Sequence, residues 1–172
     1  MFFDDSSTKA VKRFEKILDT LKNKDKDALK LLFSEKALEE STSIDEDIDY
    51  LFDFFQGEFV SYKNTGSMFS SLNEYGNRTT EVKSKFYIDT DKQKYVAFII
   101  EYTEDTIHPE NIGLYTLRII KAEDEWVQSG YWPDMKIPGI YRPEVERNRV
   151  TEKGIITICS IGRKVQWISF AL

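Results

Sequence analysis

Tyr95-Val96-Ala97-Phe98-Ile99-Ile100-Glu101-Tyr102 is the most apolar extended segment of the chain, and it is apolar on both faces as far as Ile100. Side chains of a strand alternate between its two faces, so a run without alternation needs cover on each side. The segment therefore predicts a strand with something packed against both of its surfaces.

Its neighbours read as strands too. Val82, Ser84, Phe86 and Ile88 alternate with Glu81, Lys83, Lys85 and Tyr87, the period of a half-buried strand. Asp89-Thr90-Asp91-Lys92 is a turn between them. Beyond a connection over 104–113, Leu114 to Lys121 predicts the next strand, Ala122 to Glu125 a turn, and Trp126 to Trp132 another strand. Long strands joined by short turns imply an antiparallel meander. Upstream, Phe59 to Lys63 reads as a first strand. Asn64 to Asn77, rich in Gly, Ser and Asn, reads as a long loop or a loose hairpin.

Before residue 58 the period changes to that of helices. Ala10, Val11, Phe14, Ile17, Leu18 and Leu21 predict an amphipathic helix over 6–22. Asp25 or Asp27 can cap a second helix carrying Leu29, Leu32 and Phe33. Ser43 and Glu46 have the spacing of a capping box for a third, whose apolar face is Ile44, Ile48, Leu51, Phe52 and Phe55, with Gly57 placed to end it. Helices first and strands afterwards is the α+β pattern. The expected fold is three N-terminal helices packed on a curved antiparallel sheet.

Composition narrows the function classes. A chain of 172 residues suggests one domain, and 41% hydrophobic with 14% aromatic residues is too apolar for disorder. Acidic residues outnumber basic ones, 30 to 24, which disfavours a nucleic-acid backbone or an anionic membrane surface as partner. No window reaches the ~18 apolar residues of a membrane span. The lone Cys159, in the apolar run Ile155 to Ile161, reads as a buried hydrophobe. The start, Met1-Phe2-Phe3-Asp4-Asp5, is not a signal peptide. As given, the chain reads as soluble and cytoplasmic, or as a cell-envelope or exported protein if an export signal has been removed.

The order of helices and meander looks like the nuclear-transport-factor-2-like superfold, also called cystatin-like. Leu21 to Ser34 is similar to its first helical hairpin. Ile48-Asp49-Tyr50-Leu51-Phe52-Asp53-Phe54-Phe55-Gln56-Gly57, Gly113-Leu114-Tyr115-Thr116-Leu117-Arg118 and Trp132-Pro133-Asp134-Met135-Lys136-Ile137-Pro138-Gly139-Ile140-Tyr141 together resemble a bacterial family, domain-of-unknown-function family 5104. The resemblance covers residues 8 to 143 and implies a cone-shaped fold with an interior pocket, but no activity. Many members look like lipoproteins, whereas this chain carries no lipoprotein signal or N-terminal lipidation cysteine. Residues 1–143 are thus expected to form the domain. Residues 144–172 are expected to be an extension, its two apolar runs (155–161 and 165–170) forming a possible β-hairpin.

Polar residues on otherwise apolar strands are the site candidates. Glu101 shares a face with Ala97 and Ile99; it is either a desolvated general base or a strand-end residue reaching solvent. Arg118, on the face of Leu114, Thr116 and Ile120, either holds a carboxylate ligand or pairs across strands with Glu101 or another acid. Tyr102, Tyr115, Trp126, Tyr131 and Trp132 either line a pocket for an apolar or ring-shaped ligand or pack as core and dimer contacts. His108, the only histidine, precedes Pro109 in a polar connection and reads as a surface residue. One His and one Cys make a poor metal set, so no metal and no cofactor is expected.

The ligand-binding set is Tyr102, Tyr115, Arg118, Trp126 and Trp132, with Glu101 as the one catalytic candidate. The reading that follows is a non-catalytic module binding a small apolar or aromatic ligand. Its alternatives are a protein-interaction or dimerisation module acting through the sheet, toxin neutralisation being one version, and an isomerase or dehydratase of the superfold.

Overall fold

The computed structural model describes residues 5–125 and 136–142. Its elements lie in one compact unit, Met1–Tyr141. Four helices, α1 (Asp5–Asn23), α2 (Lys26–Lys30), α3 (Glu35–Glu40) and α4 (Ile44–Phe54), precede five strands. These are β1 (Phe59–Glu74), β2 (Asn77–Thr90), β3 (Lys94–Asp105), β4 (Gly113–Lys121) and β5 (Gly139–Ile140). The sheet order is β1-β2-β3-β4-β5, antiparallel except for the short parallel pair β4–β5. No helix among the described residues is long and apolar enough to cross a membrane.

The architecture is α+β with an antiparallel meander, but the helices number four rather than three. α2 begins as expected, with Asp25 accepting from the Ala28 amide at 2.9 Å. It ends after one turn because the chain docks on the sheet. The Leu114 amide donates to Leu32 O, and the Ser34 amide to Leu114 O, each at 2.9 Å. Ser34 Oγ then accepts from the Ala37 amide at 3.1 Å and starts α3. The expected capping box at Ser43 is not formed either: Ser43 makes no side-chain cap bond, and its hydroxyl donates instead to Asp47 Oδ2 at 3.0 Å.

Of the two readings of 64–77, a long loop or a loose hairpin, the structure gives a hairpin, with 64–74 as strand. β1 runs 16 residues and pairs with β2 along its length, and the hairpin closes over Tyr75 and Gly76, both at positive φ (51° and 84°). Ser67 with Ser84 and Ser71 with Thr80 join hydroxyls across the pair, at 2.9 and 3.1 Å. The expected strand at 126–132, the boundary at 143 and the tail hairpin lie outside the described residues.

β3 is covered on both faces. Ala97 and Ile99 meet the core under the helices, where Phe14 of α1 stacks on Phe86 of β2 with centroids 3.8 Å apart. Val96 and Phe98 pack on the other face against Ile120 and Tyr141, the latter from the segment that follows β5. The Tyr95 hydroxyl accepts from the Gln56 amide at 2.8 Å and donates to Phe54 O at 3.0 Å, tying the end of α4 to the sheet.

The docking at Ser34 depends on Gly113. It sits at φ 133°, and an added Cβ would lie 2.9 Å from Ser34 N. Gly76 also has positive φ (84°), but a Cβ there meets nothing within 4 Å. Gly76→Ala should therefore cost about 1 kcal/mol in urea unfolding, and Gly113→Ala about 3 kcal/mol. Equal losses would contradict the close docking of 32–34 on β4.

Candidate functional site

Glu101 does not reach solvent at a strand end; it is 2% exposed. It continues the helix-facing row of Ala97 and Ile99, and a register shift between β3 and β4 sets what lies opposite it. Ile99 faces Leu117 and Ile100 faces Thr116, but Glu101 faces Leu114, so Tyr115 is passed over. This extra residue turns Leu114 to the helix side, opposite Glu101. Arg13 of α1 meets it there, with Nε donating to Glu101 Oε2 at 3.1 Å and Nη1 to Leu32 O at 3.5 Å. The second carboxylate oxygen, Oε1, is buried and has no hydrogen-bond partner. Burial pushes the Glu101 carboxyl above its ordinary value, and the Arg13 guanidinium pulls it part of the way back.

This pair lies at a cleft of about 240 Å³ between α1 and β3. Lys9, Lys12 and Lys16 line it together with Arg13 and Glu101, and Thr103 and Ile112 close its rim. The four α1 cations fall at i, i+3, i+4 and i+7, one face of the helix.

Of the aromatic candidates, Tyr102 also lines this cleft. Tyr102 and Tyr115 are brought together, perpendicular, with ring centroids 6.2 Å apart. The space beside them is taken by Lys136, whose Nζ lies 4.9 and 5.4 Å from the two rings. That ammonium donates to the Tyr102 hydroxyl and, at 2.6 Å, to Glu81 Oε2. Tyr115 donates to Glu40 Oε2 at 2.6 Å, and its hydroxyl is pushed up to about 12 by burial and by that carboxylate. Among the described residues these groups form a hydrogen-bonded polar cluster.

Arg118 is not near Glu101. It shares a face with Thr116 and Ile120 but not with Leu114, because of the same register shift. It lies opposite Phe98, with its guanidinium 3.8 Å over the Tyr141 ring. The expected Arg118–Glu101 pair is therefore replaced by Arg13–Glu101. Trp126, Tyr131, Trp132 and Cys159 lie outside the described residues. His108 is exposed, with Nδ1 at 3.1 Å from Glu110 Oε1. Among the described residues, no three His, Cys, Asp or Glu side chains are grouped to hold a metal.

Arg13 and its neighbouring lysines are the residues that sequence reasoning passed over, as the solvated face of a helix. The one available signal was their shared helical face.

Residues 16–122 match a family model described as "Domain of unknown function (DUF5104)". No curated protein matches the chain.

Removing Arg13 leaves the Glu101 carboxylate buried without a countercharge. Arg13→Ala should cost about 3 kcal/mol near neutral pH. Glu101 titrates in the folded chain above its ordinary 4.5, so the folded state binds more protons there than the unfolded one. The stability it contributes is full below 4.5 and is lost as pH rises through the folded value. Arg13→Ala raises the folded value further, so its deficit should widen as pH climbs from 4.5 towards neutrality. Adding Glu101→Gln should recover most of the loss. Urea unfolding across this range checks it; a deficit independent of pH would contradict an ionic role for Arg13.

Proposed function

The chain belongs to the DUF5104 family of domains of unknown function, and from its geometry we propose that it is a binding module holding a small molecule in the cleft between α1 and β3. The observation that carries this reading is Glu101 Oε1, a buried carboxylate oxygen with no partner, on a residue that lines the cleft. A buried acceptor left unpaired costs roughly 1–3 kcal/mol, and a bound donor would recover it. The helix-then-meander order and the position of the helices on one sheet face support a nuclear-transport-factor-2-like arrangement. The site we favour is the cleft on its helix-facing side, whose lining includes Tyr102, the hydroxyl of which accepts from Lys136. Native mass spectrometry of gently purified protein tests the reading. We expect an added mass, lost on activation and absent from Lys12→Ala/Lys16→Ala; a bare protein mass from the unmodified chain would overturn it.

A second reading, a homodimer through the sheet, rests on β1. Among the described residues no strand pairs with its outer edge, and its pairing with β2 runs from Gly66 to Glu74 without a register shift. Met68 and Leu72, on one face of that stretch, are 59% and 58% exposed. Exposed edges of this kind favour strand addition, and a second copy, antiparallel across a two-fold axis, offers the same edge in return. Light scattering after size exclusion should give a dimer mass for the wild type and a monomer for Met68→Lys/Leu72→Lys. A wild-type monomer at micromolar concentration would remove this reading.

A further inference from the structure

The charges of the α1–β3 cleft specify its ligand further, on the premise that the cleft is the binding site. Four cations and one carboxylate line it: Lys9, Lys12, Arg13 and Lys16 against Glu101. Arg13 is committed, to Glu101 Oε2 and Leu32 O. Lys12 and Lys16 have no ion-pair partner among the described residues. Arg13 and Glu101 offset each other, Lys12 and Lys16 leave two uncompensated positive charges, and the field favours an anion. Lysine is a compact point charge that suits phosphate or carboxylate without demanding one geometry.

Glu101 makes the opposite demand. Its Oε1 is an acceptor, more than nine-tenths buried and unpaired, and it calls for a hydrogen-bond donor. An ammonium donor would add a fifth positive charge beside Arg13, already 3.1 Å from the same carboxylate. A neutral hydroxyl or amide avoids that repulsion. The cleft holds about 240 Å³, space for roughly eight groups of water size at ~30 Å³ each. Ile112 supplies a short apolar wall.

We propose that the cleft takes a small organic anion bearing a neutral hydrogen-bond donor. The phosphate or carboxylate sits among the α1 lysines, and a hydroxyl or amide donates to Glu101. A bare inorganic anion satisfies only the lysines, and an uncharged polyol satisfies only Glu101.

The test is an NMR shift titration of the full chain with glycerol 3-phosphate, propyl phosphate and glycerol, read at the amides of 9–16 and 101–103. Propyl phosphate keeps the charge and loses the hydroxyls, so Glu101 is probed without altering the core. Glycerol 3-phosphate should bind about tenfold more tightly than propyl phosphate, the worth of one hydrogen bond to a charged acceptor. Lys12→Ala/Lys16→Ala, exposed changes that leave the fold intact, should weaken both phosphates at least tenfold, and glycerol alone should shift these amides little. Equal binding of the two phosphates overturns the role given to Glu101. Binding insensitive to the lysine variant overturns the anion site. If no probe shifts the cleft amides at millimolar concentration, the ligand class is wrong. The broader binding reading would then stand or fall separately, on the co-purified mass.

Discussion

From Val96 to Ile100, β3 has water on neither face, and the rest of the architecture follows from that constraint. A strand buried on both sides needs two layers of cover. α1 and α4 supply one with Phe14, Ile17, Ile48 and Leu51, and on the other face Val96 and Phe98 are buried in a second cluster with Ile120 of β4 and Tyr141. With β3 in the middle of the sheet, β2 and β4 take its two edges, and the long β1 falls to the outside. The same burial extends one residue past the apolar run and takes a carboxylate with it. Glu101 is tolerable there only because Arg13 reaches it from α1.

Two polar clusters flank β3, and they differ in how complete they are. Around Tyr102 and Tyr115 the groups answer one another: Lys136 donates to Glu81 and Tyr102, and Tyr115 donates to Glu40. Burial alone would lower the Lys136 ammonium, but its hydrogen bonds to Glu81 and Tyr102 outweigh that and raise it, as expected for a satisfied cation. At the α1–β3 cleft, the pair leaves one carboxylate oxygen unanswered beside Lys12 and Lys16, which have no ion-pair partner among the described residues. A closed network stabilises a fold, whereas an open one has chemistry left for a ligand. The incomplete cluster is therefore the one for which we propose a binding role.

Patterns that depend on neighbours in sequence were legible; those set by distant partners were not. The stripe Phe14, Ile17, Leu18, Leu21 and the alternation of Val82, Ser84, Phe86, Ile88 are local, and both elements form where the periods place them. The later half of β1 has the composition of a loop, and it becomes strand because β2 offers it a complete ladder and matching hydroxyls. α2 stops at Lys30 because Leu114, more than 80 residues away, takes the backbone of Leu32 and Ser34. Glu101 was marked by the apolar run before it, yet what lies opposite it is Leu114 rather than Tyr115, a skip that no periodicity in β4 announces. Its partner, Arg13, is 88 residues distant and looks like any cation on a helix surface.

The central claim is that Glu101 is a desolvated carboxylate held by Arg13, with one oxygen free for a ligand. The most direct measurement is a carbon-13 titration of the Glu101 side-chain carboxyl in the folded protein. The account predicts a midpoint above 4.5, moving higher in Arg13→Ala. A midpoint at or below 4.5, unmoved by the loss of Arg13, would place Glu101 in contact with water and contradict the site.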